Sequence, residues 1–125
     1  MIKGRVSRRL HARLPIELLL NDASSRSVEV DLDTGFTGDL TLPAEVIRQC
    51  GLAPEGERPV VLANGDEVYL RVWQGTTLWY GRPRRVRILQ AEGEPLLGMN
   101  LLRGSRVTLD VLAGGNVVIE ELDRI

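Results

Sequence analysis

Two carboxylates, Asp31 and Asp33, sit one residue apart in "VEVDLDTGFTGDLTLP", followed directly by Thr34 and Gly35. On a strand, side chains alternate between faces, so this spacing puts both acids on one side. Paired acids can hold a cation, serve phosphoryl transfer or activate water. A calcium loop starting at Asp31 requires an oxygen ligand where Gly35 stands, a glycine at Phe36 and a glutamate at Leu42, and all three are missing. Phosphoryl transfer calls for Gly-rich phosphate loops and a phosphate-binding lysine, and the sole lysine is Lys3, near the start of the chain. No metal and no cofactor are expected. Two readings remain: a polar turn that ends a strand, in which Asp and Gly serve turn chemistry, or a carboxylate that takes a proton from water.

The elements that must position these residues are mostly strands. Short Val-, Leu- and Ile-rich segments separated by turn signals predict strands at 16–20, 28–33, 59–63, 67–73, 76–80, 84–89, 106–111 and 117–121. Asn64-Gly65 and Gly114-Gly115 suit hairpin turns, because glycine accepts positive φ. One segment, "TLPAEVIRQCGL", breaks the pattern. Pro43 suits a first helical position, Val46, Ile47 and Cys50 share a helical face, and Gly51 suits the position past the end. The halves also echo each other weakly: a hairpin leading to Asp33-Thr34-Gly35, and a hairpin leading to Leu96-Leu97-Gly98.

Composition narrows the function classes. A chain of 125 residues, 43% hydrophobic and 26% charged, suits one globular domain, here taken as residues 1–125. With 16 basic and 17 acidic residues the net charge is −1, so no global field draws nucleic acid or an anionic membrane. The run "GRPRRVR" from Gly81 is the best local phosphate contact, but its alternate residues face solvent on any hairpin. No apolar run approaches the ~18 residues of a membrane span. The basic N-terminus, with Glu17 interrupting "LPIELLL", makes a poor signal peptide, which points to a soluble, cytoplasmic protein. Cys50 stands alone, which excludes an internal disulfide, and its place on the helix's apolar stripe reads as core. His11 is the only histidine, lies among arginines, and reads as a solvated surface residue.

Taken in order, "DTGFTGDLTLP", a helix, the "LANGD" hairpin tip and "LLGMNLL" resemble the retropepsin-like aspartic proteases in their prokaryotic single-domain form, over roughly residues 15–122. The resemblance implies an all-β, closed-barrel protomer with one short helix. It implies catalytic Asp33, Thr34 and Gly35, a supporting loop of Phe36 and Thr37, and Leu97 and Gly98 packed beneath. The flap would be Pro59 to Val72, with Ala63, Asn64, Gly65 and Asp66 over the substrate.

Hydrolysis by carboxylates alone needs one ionised and one protonated, and the chain carries a single D-T-G. A protease of this kind must therefore be a two-fold homodimer in which each chain supplies Asp33, with its termini, 1–10 and 117–125, as interface strands. Its partner is a peptide or protein substrate, with no nucleic acid and no membrane. The rival reading is a catalytically silent dimeric β-barrel that binds extended peptides by strand addition. An acid on the two-fold axis favours catalysis, because a pure binder gains nothing from two repelling carboxylates.

Overall fold

The computed structural model describes residues 1–123. Ten strands and two helices follow in the order β1 (Ile2–Val6), β2 (Ala12–Leu19), β3 (Ser25–Leu32), β4 (Leu40–Leu42), α1 (Ala44–Cys50), β5 (Ala53–Val61), β6 (Glu67–Trp79), β7 (Arg82–Gln90), β8 (Leu96–Leu97), α2 (Met99–Leu102), β9 (Ser105–Leu109) and β10 (Asn116–Glu121). Among the described residues no helix is long and apolar enough to cross a membrane.

Alternation builds the core. Leu14, Ile16 and Leu18 of β2 are buried and pair across the ladder with β3, where Val28 and Val30 point the same way. Val86 and Ile88 of β7 and Val117 and Ile119 of β10 complete an almost wholly aliphatic interior. Trp73 and Trp79, expected on adjacent strands, share one strand, because β6 runs unbroken through Gln74-Gly75. Gly75 marks a close approach and not a turn: a Cβ there would lie 2.7 Å from Ile88 Cδ1.

All strands join one sheet, ordered β5-β6-β7-β4-β8-β3-β2-β1-β10-β9, with β2 also pairing β6. The resemblance implied a closed barrel; the sheet instead closes a circuit only through β6, β7, β4, β8, β3 and β2 and then runs on to free edges at β5 and β9. The cause lies in β2, which divides one of its edges. Ala12 and Arg13 pair β1, whereas Glu17 to Leu19 pair β6. Between them sits Pro15, which has no N–H to give.

The weak sequence echo corresponds to a repeat in pairing. β3 runs parallel to β8, β7 runs parallel to β4, and Leu40 of β4 meets Leu97 of β8 between them. Each half is a hairpin, a short strand borrowed by the other half, and a helix. The expected helix is α1, with Gly51 at φ 63° as its left-handed cap. Pro43 precedes the first turn instead of opening it. Having no side chain to cap with, it leaves the Ala44 N–H to the carboxylate of Glu92, 2.9 Å away. A second, single-turn helix, α2, follows Gly98.

Of the terminal segments expected as interface strands, 117–121 form most of β10 between β1 and β9, 124–125 lie outside the described residues, and 1–10 contains β1, which pairs within its own chain between β2 and β10. Gly4 allows it to dock, since a Cβ there would lie 2.0 Å from the Arg13 carbonyl oxygen. Gly4→Ala should therefore cost about 1–3 kcal/mol through backbone displacement. Denaturant unfolding should show the midpoint falling at an unchanged slope.

Candidate active site

The loop from Asp33 to Asp39 leaves β3 as its ladder ends. Its first residue is tied to the second half of the chain, the Asp33 N–H donating to the Leu97 carbonyl at 3.0 Å. Asp33 then caps its own turn: Oδ1 accepts the Gly35 N–H at 2.8 Å, and the Asp33 carbonyl accepts the Phe36 N–H at 3.2 Å. Oδ2 accepts no hydrogen bond among the described residues, so half of the carboxylate is available. Thr34 and Gly35 are exposed beside it.

Below the loop, Gly98 brings β8 and α2 against the loop's backbone. A Cβ at Gly98 would lie 2.3 Å from the Gly38 carbonyl oxygen, 2.6 Å from Phe36 Cδ2 and 2.8 Å from the Phe36 carbonyl oxygen. That approach lets three N–H groups of the α2 entry donate into the loop: Gly98 to Asp39 O at 2.9 Å, Met99 to Phe36 O at 2.8 Å and Asn100 to Gly38 O at 3.1 Å. Gly38 in turn has Phe36 Cζ within 2.6 Å of where its Cβ would stand. Phe36 thus fills a slot between two glycines; of the expected supporting residues, Phe36 and Gly98 meet, Leu97 accepts the Asp33 N–H, and Thr37 is exposed on the wall of the groove beside the loop.

Asp39 and Asn100 belong to this junction, although sequence reasoning did not single them out. The Asp39 carboxylate accepts Asn100 Nδ2 at 2.8 Å through Oδ1 and the Arg87 N–H at 2.9 Å through Oδ2, locking loop, α2 and β7 together. The available signal was the polar residue that follows Gly98 in "LLGMNLL".

A groove of ≈ 700 Å3 opens beside the loop, lined by Gly35 to Asp39 on one side and by Arg58, Pro59, Val60 and Val61 of β5 on the other. The β5–β6 hairpin is the element predicted as a flap. Its turn, Leu62 to Asp66, places three residues between bonded ends: Gly65 N–H bonds Leu62 O at 2.9 Å, Leu62 N–H bonds Asp66 O at 2.8 Å, and Gly65 takes φ 88°. Asn64 stiffens it, its Oδ1 accepting the Asp66 N–H at 3.0 Å. Ala63, Asn64, Gly65 and Asp66 are exposed and do not line the groove; the β5 arm before them does. Arg87 anchors that arm's base, its guanidinium lying 3.0 Å from Glu55 and holding the Glu55 carboxyl below its usual range.

Asp31 is not brought to the site. Its buried carboxylate faces the first strand pair, Oδ2 lying 3.0 Å from His11 Nδ1 and Oδ1 lying 2.9 Å from Arg13 Nε. The Arg13 contact is off the N–H axis, so it is Coulombic and not a hydrogen bond. His11, exposed as expected, is also a partner of this buried acid, because β2 pairs Arg13 directly opposite Asp31. Cys50 is buried, and burial pushes its thiol up, as befits a core residue. Arg82, Arg84 and Arg87 each bond acidic or carbonyl oxygens of their own chain.

The chain has the fold of a known enzyme. It is similar to the crystal structure of a retropepsin-like aspartic protease from Rickettsia conorii, with a TM-score of 0.59 over 99% of this chain and 91% of the other, at 17% identity. No protein-family model matches the chain, and no curated protein is significantly similar in sequence.

The loop's position depends on the bare backbone at Gly98. Gly98→Ala should separate α2 from the loop, cost about 1–3 kcal/mol, and raise amide exchange at Gly98, Met99 and Asn100, whose protons those bonds protect. Unchanged protection at those amides would show that the loop is held by something else.

Proposed function

We propose that the protein is an aspartic endopeptidase whose catalytic pair is Asp33 and the Asp33 of a second, symmetry-related copy. The observation that carries this reading is the Asp33 loop itself. Within the fold of a retropepsin-like protease, a single D-T-G presents a half-capped carboxylate beside exposed Thr34 and Gly35. One chain offers one such acid, and the chemistry needs two.

In the dimer the two carboxylates share a proton, because neighbouring like charges resist double ionisation. The ionised member takes a proton from water as the oxygen attacks the scissile carbonyl carbon, and the protonated member gives its proton to the carbonyl oxygen. The resulting tetrahedral diol collapses when one carboxyl gives its proton to the nitrogen, the ionised carboxylate takes a proton from a diol hydroxyl and the C–N bond breaks, which leaves acid and amine and restores the shared proton. Thr34 bonds across the two-fold axis and keeps the acids coplanar, and Gly35 permits close approach of substrate backbone. The substrate is an extended peptide, laid in the groove between Gly35–Asp39 and the β5 arm and covered by the 62–66 turn. No cofactor takes part. The whole chain acts as one cytoplasmic domain that needs neither nucleic acid nor membrane.

Pepsin-type enzymes carry serine directly after D-T-G, where this chain has Phe36. Phe36 fills the slot against Gly38 and Gly98 and has no hydroxyl to stabilise the ionised acid. The pH optimum should therefore lie in the weakly acidic to neutral range; a peak below about pH 3 contradicts this assignment of Phe36.

The direct test compares wild type with Asp33→Asn on an unstructured protein substrate from about pH 3 to 8, with cleavage read by mass spectrometry. Wild type should cleave and the variant should lose at least about 10³-fold while remaining folded. A folded wild type that cleaves nothing, or a variant that cleaves as well, would remove the endopeptidase reading.

A further inference from the structure

The sheet has two free edges, and they are built differently. β5 carries Pro54, Pro59, Glu55, Glu57 and Arg58, with a bulge between Pro54 and Gly56. Prolines, charges and bulges are how an edge refuses another strand. β9 has none of the prolines or bulges, is only five residues long, and leaves Arg106 through Leu109 exposed. β1, by contrast, pairs β10 along Ile2 to Arg5 and β2 at Arg5 and Val6.

The two faces of β9 differ. Val107 and Leu109 lie opposite Ile119 and Val117 of β10, both buried, so the core face of the sheet continues onto β9 and stops there with Val107 36% and Leu109 42% exposed. Val111, just beyond, is 67% exposed. Arg106, Thr108 and Asp110 alternate with them on the other face. Among the described residues neither Arg106 nor Asp110 has an ion-pair partner in its own chain.

We propose that β9 is the docking edge for a second copy of this chain, in an antiparallel pair centred on Thr108. Resting on the dimeric reading above, the inference assigns that dimer its contact surface. The segment Arg106-Val107-Thr108-Leu109-Asp110 is complementary to itself when reversed. Arg106 then faces Asp110 of the other copy, Val107 faces Leu109, and Thr108 faces Thr108. Backbone parity agrees: the Asp110 N–H is spent on Asn116 of β10 at 3.0 Å, so the even-numbered residues point inward and the groups of Val107 and Leu109 point outward. Those two then exchange hydrogen bonds across the axis, and Thr108 forms the non-hydrogen-bonded central pair. The apolar face that ends at β9 continues into its counterpart. Along the chain, β9 follows Leu97, which accepts the Asp33 N–H, after Gly98, α2 and Arg103-Gly104.

Charge reversal tests the register. Arg106→Asp places acid against acid at both ends of the pair, and Asp110→Arg places base against base. Each variant alone should show a dimer dissociation constant raised roughly tenfold or more in sedimentation, and an equimolar mixture should recover wild-type affinity as a heterodimer. Thr108→Cys should form an intermolecular disulfide on mild oxidation, because a non-hydrogen-bonded pair has a Cα separation near 4.5 Å, whereas wild type, with Cys50 buried, should not. Circular dichroism confirms that each variant is folded. If wild type dimerises but neither reversal weakens it and Thr108→Cys does not cross-link, the β9 assignment is overturned and the dimeric protease stands on another face. If wild type is monomeric at every concentration, the β9 assignment is overturned as well. Cleavage by that monomer would then remove the two-chain mechanism.

Discussion

The constraint on which the rest of the structure depends is the missing side chain at Gly98. It allows the backbone of β8 and α2 to lie against the Phe36–Asp39 backbone at distances no other residue tolerates. Through that contact the Asp33 loop receives its hydrogen bonds from a segment distant in sequence, and Asp39 ties in both Asn100 and β7. A loop that must hold a carboxylate in a fixed place is thereby supported from beneath by main-chain bonds, which do not reorient as side chains do. Phe36 contributes packing at the position where a hydroxyl would have contributed charge stabilisation.

The same junction explains the pairing pattern. β4 and β8 are each too short to be stable alone, and each is held in parallel by a strand of the opposite half. Neither half can form its loop without the other. The Asp33 loop is consequently a product of the complete sheet, in keeping with a site whose geometry is set before a substrate arrives. Of the β5–β6 hairpin, β5 alone stands outside the circuit, fixed at its base by the Arg87–Glu55 pair.

Much of this was legible in the residues. Alternation located β2, β3, β7 and β10, Gly51 and Pro43 bracketed α1 to within a residue, and the order of "DTG", "LANGD" and "LLG" indicated the fold. Other features depend on contacts that local pattern does not encode. β4 and β8 leave no periodic trace at three and two residues. Gly75 looks like a turn until Ile88 is seen against it. The groove's far wall, Arg58 to Val61, and the Asp39–Asn100 bond join residues that only the folded sheet makes neighbours. His11 is exposed as expected, but its buried partner could not be read because Asp31 becomes its neighbour only when β2 and β3 pair. The proposed catalytic pairing rests in the sequence only on arithmetic, one acid where two are needed.

That arithmetic is the central claim, and the dependence of specific activity on protein concentration tests it most directly. If the catalytic pair is assembled from two chains, peptide cleavage per chain should rise in proportion to concentration under dilute conditions and level off once dimers predominate, with the half-point matching the dissociation constant from sedimentation. Cleavage per chain that stays constant down to concentrations at which sedimentation shows only monomer would contradict it.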